Sequence, residues 1–450
     1  MDEPSDGLFT TPEMAAAFSR AAHVRGMLAF EAALARAEAR AGVIPSEAAD
    51  AIANACRVER FDAAAVYREA ATAGTPAIPL VRMLSERVAE DARGYVHWGA
   101  TSQDAIDTAL VLQMREGLGL LETDLLRVCA RSADLAARHR RTLMAGRTLL
   151  QQALPITFGL KAARWLALAT RQVRALRERR EQSLAVQLGG ASGTLAALGG
   201  AGIRVAELLG EELELPLPDL PWHAERDRVA AIAATVGITA GAMAKIARDI
   251  TLLAQTEVGE AAEAAAPGKG GSSALPQKRN PVDAVAGLAA ARLALGVVPV
   301  ILAAMAQEHE RAVGGWQAEW AAIPELFRYT AGAVARVRGA VDGLTVDAGR
   351  MQANLECEGG LLMSESLAMA LSAHVGRPEA QRIVQDVGRR ALAEGLTLAQ
   401  AAHADTRIGT ALSPEDIDRA LDPAGYLGSA DVFIDRALDT YRALQNEALT

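Results

Sequence analysis

The chain has 450 residues, enough for two or three domains, and a formal net charge of −9. That acidic balance excludes a general nucleic-acid binder but not a small anionic ligand, because the charge inside a cleft decides such binding. Hydrophobic residues make up 51% and aromatic residues only 4%, with alanine and leucine dominant, so helices are the expected building blocks.

Helical periodicity runs over 13–41, with Met14, Phe18, Met27, Phe30 and Leu34 on related faces, and stops at Gly42. Shorter helices fill 46–93, and Gly94–Thr101 reads as a loop. A long helix is predicted from Asp104 to about Arg141, with Leu110, Met114, Leu118, Leu121, Leu125 and Val128 at three- and four-residue steps. Pro155 breaks the next stretch, and no convincing β-alternation appears anywhere. Further helices are expected over 157–187, 226–263, 282–311 and 317–342, with a glycine-rich segment at 189–202 and a proline connector at Pro216, Pro218 and Pro221. Helices this long need neighbours along their whole length, which implies a bundle. Three stretches follow: 1–103, a central bundle over 104–345, and a shorter-period helical part over 346–450.

Residues 284–306 carry one charge, Arg292, and would span a bilayer by length. The internal arginine and Pro299 favour a helix buried on all sides of a soluble protein instead, so no membrane is expected. The start Met-Asp-Glu-Pro-Ser-Asp lacks a signal-peptide pattern. Cys56, Cys129 and Cys357 are widely spaced and read as small buried hydrophobes in a reducing, cytoplasmic setting. No HExxH, CxxC or phosphate-binding Gly-Lys-Ser/Thr pattern occurs.

The segment 267–281 says most about chemistry. Gly268, Gly270 and Gly271 loosen the backbone, Ser272 and Ser273 follow, and Lys278 and Asn280 stand just before Pro281 and the next helix. A mobile hydroxyl beside a cation and an amide suits proton handling next to a developing negative charge. A second cluster, His97-Trp98-Gly99-Ala100-Thr101-Ser102-Gln103-Asp104, sets hydroxyl, amide and backbone donors at a helix N-terminus, a ready anion site. A third, Gly146–Gly159, contains Arg147, Thr148, Gln151 and Thr157 around the proline break. A fourth is Gln307-Glu308-His309-Glu310-Arg311, in which His309 alone reads equally well as part of a solvated charged face. The remaining five histidines, His23, His139, His223, His374 and His403, show no evident partner and suggest surface or structural roles.

Together these clusters resemble the three signature regions of the fumarase/aspartase superfamily, over nearly the whole chain. The resemblance implies an all-α, three-domain subunit whose central long-helix bundle forms a multi-helix core in a homotetramer, with active sites shared between subunits and no metal or organic cofactor. Within the superfamily, Val96–Asp104, Gln307–Arg311, Gly315-Trp316-Gln317-Ala318-Glu319-Trp320 and Tyr426–Ala430 resemble the cycloisomerase branch, which closes a lactone from a tricarboxylate diene. The alternative is a fumarate-releasing enzyme such as adenylosuccinate lyase. Leu149 stands where many lyases of the superfamily carry a histidine, which counts against that alternative, but it also differs from the tryptophan expected of the cycloisomerases. By resemblance, Ser272 transfers the proton, and Lys278 and Asn280 stabilise the carbanion. His97, Thr101, Ser102, Gln103, Thr148, Gln151, His309 and Arg311 bind the polycarboxylate substrate. A non-catalytic relative that kept the fold would be expected to have lost the loop residues, yet all three are present.

Overall fold

The computed structural model describes residues 6–271 and 273–447, and the chain is overwhelmingly helical. The predicted helix over 13–41 is two helices, Pro12–Ala17 and α1 (Arg20–Arg40). Ser19 separates them, its hydroxyl accepting from the Ala22 N–H as the N-cap of α1. The long helix after the loop is α2 (Ser102–Arg138). The stretch broken by Pro155, for which no β-structure is predicted, is a hairpin, β1 (Leu143–Thr148) and β2 (Gln151–Thr157), leading into α3 (Phe158–Gln182). It escaped prediction because its two-residue turn is Leu149-Leu150, without the Asn-Gly or Asp-Gly signal that marks such turns. Both leucines have positive φ, 51° and 67°, as that turn demands.

Next come α4 (Asp227–Leu253), β3 (Ala261–Ala262), α5 (Val282–Ala303), α6 (Gly315–Asp342), β4 (Thr345–Val346) and α7 (Ala348–Glu356). The predicted helix to 263 ends ten residues early. The chain turns out at Gly259 (φ 64°), Glu260 forms a buried ion pair, and β3 pairs with β4.

Two compact units divide the chain. The first comprises the described part of Met1–Leu125 with Gln172–Ala244 and Ala286–Arg336. Its core includes Met14, Phe18, Phe30, Ile106, Met114, Val236 and Phe327. Gly117 on α2 is the close approach there: a Cβ at that position would lie 2.7 Å from the Phe327 ring and 2.8 Å from the Phe18 ring. The second unit comprises Leu126–Arg171 with the described parts of Lys245–Val285 and Val337–Thr450. Phe158 and Trp165 meet edge-to-face within it, and Met363, Leu367, Leu371, Ile383, Leu398 and Ile408 form the core of its C-terminal helices.

Several expectations need correction. Within this chain α5 buries one face only; Val285, Leu293, Leu295, Val300 and Leu302 are exposed on the other. Helices α4 and α5 both have the length and apolarity to cross a membrane. Of the cysteines only Cys129 is buried, while Cys56 is half-buried and Cys357 exposed. Four histidines without evident partners have them: His23 with Tyr67, His139 with Thr142, His223 with Asp104 and His403 with Asp418.

Candidate active site

The site residues fall into two groups, one in each unit. In the first unit, α2 begins just after Thr101, and its first turn is organised by Asp104. Asp104 is fully buried and accepts four bonds: from the N–H groups of Thr101 (2.9 Å), Gly189 and Gly190 (3.0 Å each), and from His223 Nε2 (2.6 Å). Reaching back to the Thr101 N–H is the second half of a capping box. The first half is missing, because the Thr101 hydroxyl instead accepts from Arg311 Nη1 at 2.9 Å. Arg311 Nη2 donates to the Ala191 carbonyl at 3.1 Å. A guanidinium, a hydroxyl and the start of a long helix therefore meet at one place, which favours a carboxylate.

His97 precedes this turn with φ 58°, a left-handed conformation uncommon for a non-glycine residue. Its Nδ1 donates to Glu31 Oε1 on α1 at 2.6 Å. Burial opposes its charge, but the Glu31 carboxylate outweighs that and holds His97 above the ordinary histidine value. Ser102 is half-buried in the first position of α2. Gln103 is placed differently from a ligand: it is buried, and its amide donates to Asp107 (3.1 Å) and to the His223 carbonyl (2.8 Å). It braces the site from beneath. His309 is exposed with φ 47°, on the loop that carries Arg311.

Beneath the first turn lies a buried ion cluster. Arg226 reaches Asp107 through both Nη atoms (2.8 and 3.0 Å) and Glu319 through Nη2 (2.5 Å), while Trp316 Nε1 donates to Asp107 at 2.9 Å. Two carboxylates raise the Arg226 pKa despite its burial. This cluster fixes the start of α2 against α6. The sequence reading missed Glu31, His223 and Arg226 as site supports. The Trp316–Trp320 motif and the proline connector before His223 were visible in the sequence, but nothing in spacing alone reveals which polar residues meet across 66 to 119 positions.

In the second unit, Thr148 and Gln151 face each other in the last register pair of the hairpin, flanking the Leu149-Leu150 turn. All four residues are exposed, and Leu149 is 96% accessible. Arg147, one residue from the tip, forms a two-pronged pair with buried Glu260 (2.6 and 2.9 Å), which Asn354 also contacts. The glycine loop closes on itself: Gly271 bridges Arg279, and the Asn280 N–H donates to the Gly270 carbonyl at 2.9 Å. Gly270 has φ 69°, and a Cβ there would lie 2.6 Å from the Asn280 carbonyl, so the neck requires glycine. Lys269 ties the neck to the start of α5 through Asp283 (2.6 Å) and Glu263 (3.4 Å). Lys278 is exposed and Asn280 half-buried. Ser272 lies outside the described residues. Among the described residues no group of His, Cys, Asp and Glu side chains is arranged to hold a metal ion.

Comparison with known proteins agrees with this architecture. Residues 8–296 match the model of the lyase family, and residues 360–437 match that of the adenylosuccinate lyase C-terminus. The chain is 48% identical to a 3-carboxy-cis,cis-muconate cycloisomerase of Pseudomonas aeruginosa, over 98% of this chain and 96% of that protein. It is 46% identical to the enzyme of that name from Bradyrhizobium diazoefficiens, over 96% and 97%. The crystal structure of 3-carboxy-cis,cis-muconate lactonizing enzyme from Pseudomonas putida superposes with a TM-score of 0.94 at 44% identity, covering 99% of this chain and all of that one.

Proposed function

Because this chain belongs to the lyase family, we propose that it is a cycloisomerase that closes 3-carboxy-cis,cis-muconate to 4-carboxymuconolactone. The observation that carries this reading is similarity along the whole length, at 44% to 48% identity, to enzymes of that name. Leu149 at the hairpin tip counts against the alternative, since a fumarate-releasing lyase of this superfamily would be expected to carry histidine there, although the cycloisomerases are expected to carry tryptophan.

In the forward direction one substrate carboxylate oxygen forms a bond to the ring-closing carbon. The π electrons of that double bond move to the carbon next to another carboxylate, giving an aci-carboxylate carbanion. Concentrated negative charge is the barrier, so fixed donors lower it. Lys278 and Asn280 are assigned that role, and Ser272 gives its proton to the carbanion and is then reprotonated from solvent. A serine hydroxyl is a weak acid, but a carbanion is basic enough to take its proton, and this direction begins with the serine neutral. Thr101, Ser102 and Arg311 hold one substrate carboxylate, with His97 and His309 as electrostatic partners. Gln103 keeps its place in the site by holding Asp107 and His223. Thr148 and Gln151 contact substrate from the hairpin.

The same reading includes a homotetramer in which subunits share active sites. The exposed apolar face of α5 and the accessible leucines of the hairpin support association. It also includes a cytoplasmic setting, supported by three cysteines without a disulfide, and the division into 1–103, 104–345 and 346–450 as folding stretches. Helices α4 and α5 are read as core and interface helices rather than membrane spans.

The test is a spectrophotometric assay of the purified protein with 3-carboxymuconate and, in parallel, adenylosuccinate. Loss of diene absorbance with the first substrate and no reaction with the second is expected. The reverse result would reject the assignment.

A further inference from the structure

Two buried carboxyl groups on α1, one of them bonded to His97, belong to none of the sequence motifs. Glu31 is 2% exposed; Oε1 accepts from His97 Nδ1 at 2.6 Å, and Oε2 is buried with no partner among the described residues. Glu38, two turns further along α1, is fully buried, and neither oxygen has a partner among the described residues. A buried carboxylate is costly unless an opposite charge meets it. Glu31 has such a partner in His97, and Glu38 has none among the described residues. Burial, reinforced by Glu31, pushes Glu38 up to about 9. Glu38 therefore keeps its proton at neutral pH.

We infer that Glu31 is a positioning residue that holds His97 as an imidazolium whose Nε2–H is offered to a carboxylate of the substrate. With Nδ1 engaged, Nε2 is the ring's remaining donor. His97 stands four residues before Thr101, beside the carboxylate-favouring turn of α2. The charged groups that act on His97 are Glu31 from α1 and Asp104 from α2, and both favour its protonated form. Asp104 is already bonded to three N–H groups and to His223, which leaves Glu31 as the carboxylate that sets the ring's orientation. The left-handed backbone at His97 points the same way, since strain of that kind persists where surrounding contacts over-determine it. The inference rests on the substrate being a polycarboxylate, but its first readout needs no substrate.

The experiment uses the full-length protein labelled with ¹³C at histidine Cε1, with the His97 resonance assigned from His97→Gln. In the parent, His97 should titrate above ordinary histidine; in Glu31→Gln its midpoint should fall by about one unit or more. The second readout is kcat/KM for 3-carboxymuconate against pH. Loss of the His97 proton at high pH should weaken binding, so Glu31→Gln should stay within about twofold of the parent at pH 6 and fall about tenfold at pH 8. Glu38→Gln, which mimics a neutral carboxyl, should leave both readouts where the parent has them. The inference is overturned if parental His97 titrates at or below the ordinary histidine value, a result that does not depend on how Glu31→Gln folds. It is equally overturned if Glu31→Gln loses activity by the same factor at every pH, or if Glu38→Gln shifts the midpoint as far as Glu31→Gln does. A parent inactive on 3-carboxymuconate would refute the proposed reaction while leaving the titration result to stand by itself.

Discussion

Arg311 Nη1 donates to the Thr101 hydroxyl across 2.9 Å, joining segments 210 residues apart in the chain. The bond takes the hydroxyl away from helix capping and leaves Asp104 to secure the turn. A side chain that would ordinarily stabilise a helix end is thereby kept at the surface of an anion site.

Removing this contact should affect binding more than folding. Arg311→Ala is expected to lower kcat/KM about 10- to 100-fold, corresponding to loss of a charge-assisted hydrogen bond worth roughly 1.5–3 kcal/mol. Arg311→Lys should recover only part of it, because ammonium lacks the planar fork. Steady-state kinetics beside thermal melts would check this, and a large fall in Tm with KM unchanged would contradict it.

Ser272→Ala should reduce turnover by orders of magnitude while leaving secondary structure and oligomer size as they are. Circular dichroism and size-exclusion chromatography of the purified variant would establish the second half. Turnover near the parental value would remove Ser272 from the proton step.

Gly270→Ala tests the neck of the loop. The new Cβ would meet the Asn280 carbonyl at 2.6 Å, in a backbone conformation costly for alanine. The strain, on the order of 1–3 kcal/mol, should displace Asn280 and Lys278 and lower kcat by tenfold or more. Since the neck is at the edge of its unit's core, Tm should change little. A variant with parental kcat would mean that the neck does not position these donors.

The buried ion cluster should behave in the opposite way. Arg226→Met leaves Asp107 and Glu319 buried without their cation, at a cost of about 3–5 kcal/mol. Urea unfolding should show the loss directly. A stability unchanged from the parent would show that water or other donors replace the guanidinium.

Glu38 gives a pH signature. Its folded-state value of about 9 lies above that of an exposed carboxyl, so between roughly pH 4.5 and 9 the folded chain holds a proton that the unfolded chain has released. Its contribution is therefore fully present at acid pH and is lost as pH rises through that window. Glu38→Gln should flatten this part of the stability profile, raising Tm relative to the parent at pH 8 and not at pH 5. Parallel profiles for the two proteins would show that Glu38 is ionised in the folded state.

The long helices were legible because three- and four-residue spacing of leucine, methionine and phenylalanine specifies them within a few positions. Their ends were less so: α4 stops at Leu253, and Glu260 beyond it pairs instead with Arg147, a residue more than a hundred positions away. The hydroxyl, cation and amide of the glycine loop were visible as local text, as were Thr101 and Ser102 at a helix start. Glu31, His223 and Arg226 were not, since each owes its role to a partner from a distant segment, and a glutamate inside an alanine-rich helix carries no local mark of what it will face. Gln103 shows the converse. Its neighbours face an anion site, yet one step along the helix turns its amide inward.

The Leu149-Leu150 turn has a consequence for adaptability. Both side chains project away from their own unit, so nothing in that unit's packing dictates their size or polarity. The backbone there, by contrast, has positive φ, which residues other than glycine, asparagine and aspartate adopt only with strain. Exchange at these two sites is thus nearly decoupled from foldability, which makes the tip a natural place for one scaffold to acquire a different chemical preference without rebuilding its interior.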